Sequence, residues 1–124
     1  MLGLSVIWKD RVMGLPLLFR LPDDSDSWNA WAFNHAAIHY TIIRTIAAQK
    51  TQTLTQYPLD PIDPNDLGFW LYQHQVMHNQ ANAALGTSGY DLLSLDWSQP
   101  ADFQEWLQLN GDEHRKWGGI LGVG

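Results

Sequence analysis

A chain of 124 residues, 45% hydrophobic, 16% charged and without cysteine, has room for one modest core and excludes disulfides and thiolate metal sites. Its net charge of −6 argues against a general nucleic-acid binder, which needs a cationic face for phosphates, and no apolar run approaches the roughly 18–20 residues that cross a membrane. So little charge beside seven tryptophans favours surface hidden in a core or an assembly over that of a free monomer.

Residues 1–22 read as an arm. Gly3, Gly14, Pro16 and Pro22 cut it into short pieces, and its first twenty residues carry three basic side chains against one acidic. The remaining 104 carry four basic and twelve acidic, so a +2 arm joins a −8 body. Ile7, Trp8, Leu17, Leu18 and Phe19 make the arm too apolar to stay uncovered, and we expect it to dock on a neighbouring subunit. The start lacks a basic leader before its apolar stretch, which argues against a secretory signal.

Residues 23–124 read as a single helical domain. Asp23-Asp24-Ser25-Asp26 offers acceptors and negative charge to a first turn. Trp28, Trp31, Ala32, His35, Ile38, His39, Ile42, Ile43 and Ile46 follow at steps of three and four, predicting a helix over 24–50. Pro58, Pro61 and Pro64 make the next segment a stiff connector. Asp63-Pro64 then caps a second helix over 64–85, stopped by Gly86 in a left-handed conformation. A loop pinned by Leu92, Leu93 and Leu95 leads to a third helix over 99–117, opened by Ser98-Gln99-Pro100. In the apolar tail, Trp117, Ile120 and Leu121 are candidate docking residues. The expected fold is mainly α: a three-helix bundle-like domain with an extended N-terminal arm and long connectors containing proline and glycine.

One pattern organises these helices. Trp70, His74 and His78 stand at steps of four; Trp31, His35 and His39 repeat the spacing, as do Trp106, Asn110 and His114. All five histidines fall in this register, with Asn110 its one departure. The second and third copies stay aligned through Leu85-Gly86 and Leu121-Gly122, where the first has Ile46-Ala47. Three helical units on one plan are implied. Each triplet forms a stripe about 80° wide and about 12 Å long on its helix.

The stripes have two readings. As a structural ladder, ring nitrogens bond to tryptophan N–H groups, amides and carbonyls inside a semi-polar core. As a metal site, His35, His39, His74, His78 and His114 are candidate ligands for zinc or non-haem iron, because neutral imidazoles from several helices can converge on one ion. Antiparallel neighbours would group His35 with His74 and Asn110, Trp31 with His78 and Trp106, and His39 with Trp70 and His114. No layer would then hold three histidines, which favours the ladder and predicts no metal or other cofactor. Yet each connector is about a dozen residues, long enough to return along a helix and make all three parallel. Elsewhere, no Ser/His/Asp motif, phosphate-binding glycine loop or H-E-x-x-H occurs. Asp112-Glu113-His114 reads as a solvated helix face, and Gln75, Asn79 and Asn82 as a polar stripe facing a helix or solvent.

The Trp31–His39 stretch, Leu59-Asp60-Pro61-Ile62, His74-Gln75-x-Met77-His78 with Leu85-Gly86, Asp91-Leu92, Asp96 and the Trp106…His114…Leu121-Gly122 ending together resemble small helical proteins encoded among the virion genes of tailed bacteriophages and prophages. The resemblance covers roughly residues 22–122 and leaves the arm outside. It implies a non-enzymatic structural role in the virion, assembled in the bacterial cytoplasm, at the capsid or head–tail junction. Its partners would be copies of itself or other virion proteins, without sequence-specific nucleic-acid or membrane binding. The alternatives are a histidine-rich metal-binding protein and a small adaptor for a phage or host protein.

Overall fold

The computed structural model describes residues 25–123. The arm with its docking candidates Ile7, Trp8, Leu17, Leu18 and Phe19 lies outside them, as do Asp23 and Asp24 of the expected cap. Three helices dominate the described residues: α1 (Ser25–Lys50), α2 (Leu67–Leu85) and α3 (Pro100–Leu121). A short 3₁₀ turn at Pro64–Asp66 precedes α2, and another at Leu92–Ser94 interrupts the second connector.

The helix ends follow from local chemistry. The Asp63 carboxylate accepts from the Asn65 N–H at 2.9 Å, and Pro64 occupies the first position of the turn, where its missing N–H costs nothing. Gly86 and Gly122 end α2 and α3 with φ of 68° and 75°, a conformation that glycine adopts without a Cβ penalty. In the first copy Ala47 stands at the glycine's place, and α1 continues to Lys50. Likewise α3 runs past 117 to Leu121, through Gly118 and Gly119.

All three helices point the same way. Trp31 of α1 and Trp70 of α2 lie 6.3 and 6.1 Å from Trp106 of α3, ring centre to ring centre, near the three N-terminal ends. At the other end Ile42, Ile46, Ala81, Trp117 and Leu121 form one cluster, and the Gln49 amide donates to the Leu121 carbonyl at 2.9 Å. Of the two helix orders that the sequence leaves open, the parallel one is present, so the antiparallel grouping of the layers does not occur. The connectors explain how. Residues 51–63 return beside α2: Thr55 N–H donates to Gln80 near the helix's end, and the Leu59 carbonyl accepts from the Trp70 indole near its start. Leu59 and Ile62 are buried, so this return strand is part of the core. The second connector also descends along α2, with Gln75 holding the Tyr90 carbonyl and the Leu92 N–H.

Parallel alignment keeps the repeats in register. From the N-terminal end, the layers are Trp31/Trp70/Trp106, His35/His74/Asn110 and His39/His78/His114. Beyond them come Ile42/Ala81/Trp117 and Ile46/Leu85/Leu121. Of the tail residues expected to meet a partner, Trp117 and Leu121 are buried in this last part of the domain's own core. Their helical continuation turns them inward; only Ile120 is exposed. No helix among the described residues is long and apolar enough to cross a membrane.

Candidate metal centre

Each helix contributes to a polar core enclosed between two apolar ones. The tryptophan layer seals it on the N-terminal side: Trp31 stacks on His35 at 4.5 Å and Trp70 on His74 at 5.1 Å. Trp117 closes it on the other side, 4.6 Å edge-to-face from His78. His35, His39, His74 and His78 are buried and His114 is partly so.

The middle layer holds His35, His74 and Asn110, as the register requires for either helix direction. The Asn110 side-chain oxygen lies 3.0 Å from His74 Nε2 and 3.3 Å from His35 Nε2, and the two ring nitrogens lie 3.2 Å apart. Two protons satisfy this triangle: with both Nε2 atoms protonated, both rings donate to the amide oxygen, which has two lone pairs. With one protonated, the other nitrogen meets the oxygen lone pair to lone pair.

Parallel packing puts His39, His78 and His114 together, so one layer does collect three histidines. Their ring centres lie 4.7 Å apart for His39 and His114, 5.0 Å for His39 and His78, and 5.2 Å for His78 and His114. His114 Nε2 and His39 Nε2 approach to 3.0 Å, a contact that a single proton can bridge. Across the two layers, one ligand nitrogen from each of His35, His39, His74 and His114 falls within 4.8 Å of the others. Nitrogens about 2.1 Å from a common ion are separated by about 3.4 Å when tetrahedral and by up to about 4.2 Å when opposite one another. Small side-chain movements would bring all four onto one ion.

The electrostatics fit a cation brought in from outside. Burial, reinforced by the nearby His78, lowers the His35 pKa to about 3. Burial and the mutual repulsion of the rings hold His39, His74 and His114 well below the ordinary histidine value. The quartet is therefore neutral at pH 7, and each ring offers one lone pair.

His78 differs. Its Nδ1 donates to the Glu113 carboxylate at 2.8 Å, which leaves Nε2 a bare lone pair, buried and without a hydrogen-bond partner among the described residues. Glu113 is 1% exposed. Burial raises its pKa, but donors from His78, the Tyr90 N–H and Asn82 outweigh that and hold it below the usual glutamate value. The solvated face expected at Asp112-Glu113-His114 is thus corrected at Glu113, because the second connector folds over it and supplies donors. Gly89 allows this closeness: a Cβ there would sit 2.1 Å from Asn82 Nδ2 and 2.7 Å from Glu113 Oε2. Of the amide stripe, Gln75 and Asn82 are buried and Asn79 is exposed, bonded to Gln75 at 2.8 Å. Glu113 had one signal in the sequence, a carboxylate flanking the ladder. Helical periodicity carries no information about the loop that covers it.

The outer shell is incomplete. Nδ1 of His35 and of His74 is buried with no partner among the described residues. A histidine ligating through Nε2 carries its proton on Nδ1 and usually donates it to an acceptor whose loss costs about 10–100-fold in metal affinity. The quartet can hold an ion, with two of its four ligands unsupported. No protein-family model, curated protein or solved structure matches the chain.

Proposed function

We propose that this chain is a metal-binding helical protein in which His35, His39, His74 and His114 hold one divalent transition ion, zinc or non-haem iron. The observation that carries the reading is the convergence of four buried or half-buried imidazoles from all three helices to within 4.8 Å. The buried Glu113 carboxylate adds a negative charge close by. An ion in this place joins all three helices, so it would act first as a structural clamp. Elemental analysis of protein purified without an affinity tag or chelator tests this. One ion per chain, lost in His39→Ala, is the expected outcome; a metal-free chain that also takes up none on dialysis against zinc or iron contradicts it.

A second reading, an assembly component of a tailed-phage particle acting through contacts with itself or other virion proteins, rests on the sequence resemblance. One structural observation favours it. Phe33 and Phe69 are 64% and 61% exposed, and Ile38, Tyr72, Tyr90 and Leu93 are exposed as well, an unusual load of large apolar groups for a free surface. Analytical ultracentrifugation of the wild type and of a Phe33→Ser/Phe69→Ser variant separates the cases. Self-association abolished by the pair supports assembly, and a monomer at all concentrations removes contact with its own copies.

A further inference from the structure

We propose that the cleft between α1 and α3 admits one small monoanion to the ion held by the histidine quartet. The inference rests on the metal reading and adds to it an exchangeable ligand and a route.

The route is visible in the packing. A cleft of about 280 Å³ between the two helices is lined by Asn34, His35, Ile38, Asn110 and His114, so it reaches both histidine layers from outside. A neighbouring cleft of about 410 Å³ shares Ile38 and His114 and adds Arg115. Around α2, by contrast, Gln75, Met77 and the connector residues Leu59 and Leu92 are all buried. His114 is correspondingly the one quartet member that keeps some exposure.

The charge count selects an anion. Four neutral imidazoles contribute no charge, so a divalent ion among them keeps +2. Glu113, bonded to His78, offsets one unit and leaves +1 in a site walled by tryptophans. An uncompensated buried charge is costly, and one monoanion on the ion removes it. Among the described residues no carboxylate lines either cleft, and the Arg115 guanidinium beside the wider one is ion-paired with Asp112. A carboxylate-lined channel would instead favour passage of the cation alone.

The test uses the full chain loaded with cobalt(II), whose visible ligand-field bands report coordination, and azide as the probe. Cobalt stoichiometry is measured first. A chain that binds no cobalt contradicts the metal reading and this inference together. With cobalt bound, azide should change the bands saturably without releasing the metal. Ile38→Trp, at a position 44% exposed and so tolerant of size, should weaken azide at least about tenfold with cobalt still bound one to one. Asn34→Trp, one turn earlier on the same lip, provides a second block. Bands that azide leaves unmoved, azide that strips the cobalt, or blocked variants that bind azide like the wild type would overturn the route while leaving the metal site standing.

Discussion

Lowering the pH should destabilise and then unfold the metal-free protein, through its histidines. In the unfolded chain each imidazole takes up a proton below about pH 6.5. In the folded chain burial and mutual repulsion keep His35 neutral down to about pH 3, and His39, His74 and His114 are shifted in the same direction. The unfolded state binds more protons, so stability rises with pH. The contribution is fully present above about pH 6.5 and is lost progressively as pH falls towards the folded-state value. For His35, going from pH 7 to pH 5 costs about 2 kcal/mol. His39, His74, His78 and His114 are lowered in the same direction and add to that loss. Circular dichroism and tryptophan fluorescence, recorded against pH with a chelator present, should show one cooperative transition below about pH 6.5. The steepness should correspond to uptake of more than one proton. A helical, cooperatively folded chain at pH 3.5, or a transition taking up about one proton, would refute the reasoning.

Two further perturbations probe the seal around Glu113. Gly89→Ala places a Cβ against Asn82 and Glu113, both anchored by hydrogen bonds, and should cost about 1–3 kcal/mol in urea denaturation. Glu113→Gln keeps the shape but cannot accept from His78, Asn82 and the Tyr90 N–H at once; a loss of about 1–3 kcal/mol is expected by the same method. Equal stability in either variant would mean that this corner is looser than its contacts imply.

Most of the helical skeleton could be read in the sequence, because it depends on local chemistry. The steps of three and four from Ala32 to Ile46 and the Gly86 stop are properties of a few neighbouring residues, and each stands where it was expected. Asp63-Pro64 is a start too, but of the 3₁₀ turn Pro64–Asp66; α2 itself begins three residues later, at Leu67. Helix direction is not local. His35, His74 and Asn110 share a layer whichever way α2 runs, since the middle of a triplet stays in the middle on inversion. The outer layers exchange partners, and only the path of residues 51–63 decides between them. That path is fixed by the Thr55–Gln80 and Leu59–Trp70 contacts, which carry no sequence period. Asn110 interrupts the triplet, yet the departure does not break up the histidines: three meet in the layer below it, and four converge across the two.

Zinc titration of the chelator-treated, untagged chain tests the central claim most directly. Calorimetry should show one ion bound per chain, and a hundredfold excess over the dissociation constant should stabilise the fold by about 2.7 kcal/mol. His39→Ala and His74→Ala, taken from different helices and layers, should each abolish the binding. Zinc that gives no heat and no shift in melting temperature, or that binds both variants as it binds the wild type, would contradict the account.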